Sequence, residues 1–176
     1  MDGVSGEASS LAGHQELGNL TVVYDANQIS IEDDTDISFT EDVPERYRAY
    51  GWDVRVVEWR RHHGTTTDDY VEDVDALLAA IEEGKKVTDK PTFIMVRTVI
   101  AWPSPTKQGT GKSHGAALGD DEIKGMKKLL GFDPEQTFEV DTEVIEHVRS
   151  TRAERSRTVR AEWDEKFAAW QIANPE

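Results

Sequence analysis

Cysteine is absent from all 176 residues, which excludes a disulfide framework and thiolate chemistry. Long apolar runs are absent too. None approaches the roughly 20 residues that a membrane-spanning helix needs. The N-terminal Met-Asp-Gly-Val-Ser-Gly-Glu-Ala has neither the basic nor the apolar region of a secretory signal, so a cytoplasmic protein is expected. Positive charge is scarce: 20 Lys and Arg stand against 35 Asp and Glu, for a net charge of −15. That field repels phosphate backbones and anionic lipid, so neither nucleic acid nor membrane is expected as a partner. An anionic ligand would need a local metal ion or backbone N–H groups. Apolar residues make up 37% of the chain, but they are clustered and periodic, enough for one domain with a core.

What is present reads as alternating helix and strand. Residues 5–17 form a predicted helix, capped by Ser5 and stopped by Gly18, with Ala8, Leu11 and Ala12 inward. A β-rich run at 20–24 follows and ends in Asp25-Ala26-Asn27. The acidic stretch 32–36 reads as a surface loop. Thr40 is the expected cap of a helix carrying Val43, Tyr47 and Tyr50 on one face, closed by Gly51. Residues 53–59 make a second strand. The polar segment after it holds His62 and His63, adjacent residues with no neighbouring ligand pattern, expected to be loop. Residues 69–83 form a helix, with Tyr70, Val74, Leu77, Leu78 and Ile81 on one stripe. Residues 92–100 are near-continuously apolar, as in a buried parallel strand. This succession predicts an α/β doubly wound architecture. A glycine- and proline-rich stretch without periodicity runs to Gly119. Asp120 then caps a short helix with Ile123, Met126 and Leu130 inward. Helix resumes at Thr142, and from about Ser150 it is charged, with Val159, Trp163, Phe167 and Trp170 on one stripe.

Three places could carry chemistry. Asn27, at the carboxyl end of a strand, can offer its carboxamide oxygen to a hard cation, with the Ile29 carbonyl beside it. Ordinary turn chemistry remains the commoner use of such a spacing. Gly111-Lys112-Ser113 resembles the tail of a phosphate loop, but position 106 is threonine and His114-Gly115 follows instead of a helix, so that reading is rejected. His114 has the pKa class for proton transfer or for a hydrogen bond to a substrate oxyanion; an exposed loop histidine is the alternative.

Larger blocks carry a resemblance. Gly3 to Leu17, Gly-Val-Ser-Gly-Glu-Ala-Ser-Ser-Leu-Ala-Gly-His-Gln-Glu-Leu, is similar to the helix after the thiamine-diphosphate signature of transketolases, and Gly18 to Ile31 resembles the end of that signature. Arg46-Tyr47-Arg48-Ala49-Tyr50-Gly51-Trp52 resembles the next family block. Pro91 to Ile100, and His114-Gly115-Ala116-Ala117-Leu118, resemble two more. The resemblance covers nearly the whole chain, in order and at the family's spacings.

It implies an incomplete doubly wound, mainly parallel α/β sheet of the thiamine-diphosphate-binding fold over residues 1–140. A helical extension over 141–176 would lead toward a pyrimidine-binding domain. It implies thiamine diphosphate with Mg2+ or Ca2+ as cofactors, and ketol transfer between sugar phosphates in a homodimeric parent enzyme of the pentose phosphate pathway. By resemblance, Asn27 is a metal ligand beside the diphosphate, and Ile29 gives its backbone carbonyl to the same metal. Ile100 borders the thiamine. His114 is catalytic, reaching cofactor and substrate and helping to bind or protonate the reacting oxygen. Asp2 stands where the family usually has glutamate, and Ala101 where it commonly has glycine.

The signature's Gly-Asp-Gly, whose aspartate is a further metal ligand, belongs upstream of Gly3. The ring-activating glutamate belongs to the pyrimidine-binding domain. The expectation is a piece of transketolase that does not perform ketol transfer alone. One subunit of a split thiamine-dependent sugar-phosphate enzyme, or a non-catalytic α/β binding remnant, are the alternatives. An unpaired sheet edge should also make the isolated chain associate. Light-scattering chromatography checks this; a sharp monomeric profile with a cooperative melt would contradict it.

Overall fold

The computed structural model describes residues 3–31, 33–60 and 70–175. His62, His63 and Asp2 lie outside the described residues. The chain divides into two compact units, Met1–Pro134 and Glu135–Glu176. The first contains α1 (Gly3–His14), β1 (Thr21–Asp25), α2 (Val43–Ala49), β2 (Asp53–Glu58), α3 (Val74–Gly84), β3 (Thr92–Arg97) and α4 (Asp120–Leu130). Single turns of tighter helix lie at Thr35–Ile37 and Gly111–Ser113. The second unit contains α5, one continuous helix over Thr142–Ala173.

The three strands form a parallel sheet in the order β1-β3-β2. β3 is central, and Thr92 to Val96 are all buried, as its unbroken apolar run requires. The register pairs Val22 and Val54 with Phe93, and Val23 and Arg55 with Ile94. Phe93 and Met95 therefore face one layer, and Ile94 and Val96 the other. On the first face they pack with Ala12 of α1 and with Val43 and Tyr47 of α2. On the second, Val57, Ile94 and Val96 meet Ala76, Leu77, Ala80 and Ile81 of α3. This follows from the topology. The step from β1 to β2 runs one way across the sheet, and the step from β2 to β3 runs back. Crossovers of one hand running in opposite directions must lay their helices on opposite faces. The doubly wound α/β expectation is met.

Several element ends differ from expectation. α1 stops at His14, not at 17. Glu16 takes the left-handed conformation (φ 52), while Leu17 N–H donates to Ala12 O (3.2 Å) and Glu16 N–H to Gly13 O (3.1 Å), a Schellman closure without glycine. Gly18 serves close packing instead, since a Cβ there would lie 2.1 Å from Thr88 O. Of the three inward positions expected on α1, Ala12 is buried, whereas Ala8 and Leu11 are exposed. The close approach comes at Gly13, where a Cβ would sit 1.9 Å from Tyr50 O.

α2 is capped by Asp42, whose Oδ1 accepts from Glu45 N–H at 2.9 Å, rather than by Thr40. Pro44 in the first turn lacks only an N–H that no helical carbonyl would have used. α3 begins at Val74, capped by Asp73 (Oδ1 to Ala76 N–H, 2.8 Å). Tyr70 therefore lies ahead of the helix and packs against Trp102 with tilted rings at 5.1 Å, while Val74 and Leu78 face out. Asp120 is the first residue of α4 and does not cap it; Gly119 (φ 92) precedes it with no side-chain bond. Ile123 and Leu130 are exposed, because the close face of α4 is Gly125 against Pro105. β3 ends at Arg97, three residues before its predicted end.

Phe93 is 0% exposed, with its ring stacked on Tyr47 (3.8 Å) and Tyr24 (5.8 Å). Phe93→Ala should cost about 3–5 kcal/mol, a large share of a stability typically about 5–15 kcal/mol. Urea unfolding checks this; a loss under about 1 kcal/mol would show that the ring is not the keystone of this face.

Candidate functional site

The carboxyl ends of the parallel strands open onto a cavity of about 940 Å³. This is the edge at which doubly wound sheets take ligands. β1 delivers Asp25 to its rim, and Ala26 N–H still donates to Val96 O (2.8 Å), so the strand holds its line one residue further. The chain then turns. Asn27 Oδ1 accepts from Ile29 N–H at 3.0 Å, across a left-handed Gln28 (φ 63). Gln28 O accepts from Thr35 N–H (2.9 Å) and Asp33 O from Ser30 N–H (2.9 Å), which closes the turn on itself. Ordinary turn chemistry and a site are thus not exclusive at Asn27. Its oxygen shapes the turn and has a second lone pair to offer.

Asn27 and Ile29 both line the cavity. The remaining wall is strongly acidic: Asp25, Asp36, Glu41, Asp42 and Glu58, against Arg48 and Arg97. Both arginines have acidic neighbours. Arg48 bonds Glu45, and Arg97 approaches Glu58 at 3.6 Å. Glu58 and Arg97 are register partners at the ends of β2 and β3, on the same face as Tyr24 and Met95. Strand parity alone puts both on this face, with no motif to mark them. Burial, with Asp25 next, pushes the Tyr24 phenol up from its ordinary value, so it is a neutral wall at physiological pH.

Among the described residues no group of three or more His, Asp or Glu forms a metal cluster. The donors present fit another kind of cation site. A side-chain amide oxygen and a backbone carbonyl two residues on are hard, neutral ligands. Mg2+ is commonly held by few protein oxygens, with substrate phosphates and water completing the shell. A cavity walled by carboxylates would also reject an anionic ligand unless a cation came with it.

Ile100 and His114 belong to the segment after β3 and are not among the cavity's lining residues. Ile100 is half-buried, and its carbonyl accepts from Gly109 N–H (2.9 Å), pinching a loop. His114 is exposed and follows the short turn at Gly111–Ser113; its N–H donates to Gly111 O (3.1 Å). No α-helix follows Lys112-Ser113, in keeping with rejection of the phosphate loop. Glu122, in the first turn of α4, is held below the ordinary carboxylate range by hydrogen bonds from Ser104 and Thr106. Ala101 has φ 56, the left-handed region, which accounts for the glycine expected there.

The family model described as transketolase, thiamine diphosphate binding domain, matches residues 1–176. The transketolase of Mycobacterium tuberculosis strain H37Rv is 49% identical over 175 residues, covering 99% of this chain and 23% of that protein. A Pichia stipitis transketolase solved in complex with sedoheptulose-7-phosphate superposes with a TM-score of 0.83 at 44% identity, covering 99% of this chain and 24% of that one. The Leishmania mexicana enzyme superposes with a TM-score of 0.83 at 37% identity, covering 99% and 24%. The chain therefore spans about a quarter of the length of the relatives it matches.

Ala101 generates a prediction. A left-handed non-glycine residue costs about 1–2 kcal/mol, and glycine returns about 0.4–1 kcal/mol of that through the unfolded chain. Ala101→Gly should therefore stabilise slightly, by about 0.5–1 kcal/mol, and Ala101→Val should destabilise. Thermal melts of both variants decide this; a lower Tm for the glycine variant contradicts it.

Proposed function

The chain belongs to the transketolase family, and on that premise we propose that its cavity is the diphosphate-and-metal portion of a ketol-transfer site. The observation that carries this reading is the Asn27–Ile29 turn, which brings two hard oxygens to the carboxyl end of β1 at the mouth of an acidic cavity. Asn27 Oδ1 and the Ile29 carbonyl would hold Mg2+ or Ca2+, and the diphosphate of thiamine diphosphate would complete the shell. Bound thiamine diphosphate supplies the carbanion chemistry of two-carbon transfer.

What this chain adds is binding, orientation and proton handling. The Ile29 N–H to Asn27 bond fixes the carboxamide, so the metal-facing oxygen needs no reorganisation. Ile100 offers apolar surface to the thiamine. The His114 imidazole, with a pKa class near neutrality, would donate a hydrogen bond to a sugar-phosphate oxygen and hold or release a proton there. The substrates are sugar phosphates, and the parent enzyme is a cytoplasmic homodimer. Residues 1–140 act as the diphosphate-binding portion and 141–176 as its helical extension. Two protein donors alone hold the cation loosely and so leave the diphosphate poorly neutralised, and on this reading the isolated chain performs no ketol transfer.

Calorimetric titration of the purified chain with Mg2+ and thiamine diphosphate tests this. The expected result is weak, Mg2+-dependent binding that Asn27→Ala abolishes, with no transfer activity. Micromolar binding with ketol transfer by the chain would overturn the inactive reading. Binding unchanged by Asn27→Ala would overturn the site.

A further inference from the structure

The stretch between β3 and α4 has no regular secondary structure beyond one short turn, yet it is fastened at both ends. On one side stands Glu122, in the first turn of α4. Its carboxylate accepts hydrogen bonds from Ser104 Oγ, from Thr106 N–H at 3.1 Å and from Thr106 Oγ1. Ser104 is fully buried. On the other side, Lys107 Nζ donates to the carbonyls of Leu118 (2.5 Å) and Ala117 (3.4 Å), drawing the far end of the loop back to its start.

Between these anchors the bonds repeat every three residues. Lys107 N–H donates to Ser104 Oγ (3.3 Å), Thr110 Oγ1 to Lys107 O (2.8 Å), and Ser113 Oγ to Thr110 O (2.8 Å). His114 follows Ser113 directly, and its own N–H is tied to Gly111 O at 3.1 Å. A chain of hydrogen bonds thus leads from a helix to Ser113, the residue bonded directly to His114.

We propose that Glu122 and Lys107 are positioning residues for His114: they clasp residues 104–118 from both ends and thereby set where its imidazole is presented. The importance of that pose rests on the role given to His114 above; the clasp itself does not. Its chemistry is specific. Three donors converge on the two Glu122 oxygens, which an ionised carboxylate accepts readily. A glutamine offers one oxygen and turns an NH2 group toward donors. Lys107 reaches two carbonyls with one ammonium, which no neutral side chain of its length can replace. Mounting the first anchor on a helix gives the loop a rigid reference.

The test uses the full chain, its five histidines resolved by side-chain NMR, with His114→Asn identifying the His114 signal. Glu122→Gln and Lys107→Met should each shift or broaden that signal. Each should also speed amide exchange across 107–118 by at least about tenfold, the scale of one lost charge-assisted bond. Exchange in β1 and β3 and the Tm should stay near their wild-type values. Lys107→Arg should restore both readouts. A His114 signal and loop exchange unchanged in both variants would overturn the proposal, as would equal acceleration in β1 and β3. Separately, if His114→Asn leaves thiamine diphosphate and Mg2+ titrations unchanged, the role assigned to His114 falls while the clasp stands on its own readouts.

Discussion

The constraint on which this structure depends is the parallel pairing of β3 between β1 and β2. A parallel strand cannot be reached by a tight turn; each connection must cross over a face of the sheet. With β3 in the middle, one crossover lays α2 on the first face and the next lays α3 on the second. The central strand is then closed off on both sides and can consist of apolar residues throughout. Phe93 between Tyr47 and Tyr24, and Ile94 beside Val57, are the outcome. The same parallelism brings all three carboxyl ends to one edge, so the turn after β1 and the segment after β3 leave the sheet from the same side. The location of the cavity is a consequence of strand order.

Charge then decides what that edge can hold. Acidic side chains outnumber basic ones around the cavity, as they do in the chain as a whole. A diphosphate placed there without a counter-ion would meet like charge at short range. Neutral oxygens at Asn27 and Ile29 add no further negative charge. On the proposed reading they would leave a bound cation's full charge for the ligand's phosphates, whereas a cage of carboxylates would spend it on the protein. An acidic surface and a neutral pair of oxygens at Asn27 and Ile29 are therefore compatible with the proposed site.

The sequence was most legible where side chains alternate against the sheet. All three strands, the doubly wound class and the position of Asn27 at a strand's end follow from apolar runs and their punctuation. Helix starts are less legible, because several residues can cap in principle and tertiary geometry selects one. Thr40 and Asp42 both suit the role, and Asp42 takes it because the helix begins at Val43. Glycines misled in the opposite sense. Gly18 looks like a helix stop, yet its lack of a Cβ is needed against Thr88, and the stop is made by Glu16. Tyr70 fits a helical stripe by spacing and instead packs on Trp102, a partner whose place no local pattern reveals. Strand parity sets the face that Glu58 and Arg97 take, but nothing in the sequence marks that face as the wall of a cavity.

The segment from Ser104 to His114 shows a limit of another kind. Its order has a period, but one of hydrogen bonds rather than hydrophobicity: Ser104, Lys107, Thr110 and Ser113, each reaching or reached across three residues. Fixing each backbone residue costs about 1–2 kcal/mol in conformational entropy, and this stretch has little buried apolar surface to offset it. Local hydroxyl-to-carbonyl bonds, each modest, pin the backbone step by step, while Glu122 and Lys107 fix the two ends. An order made of local polar bonds exists before any ligand arrives. A histidine delivered on such a loop is held in place by the protein itself, so a ligand binding beside it would not have to supply that ordering.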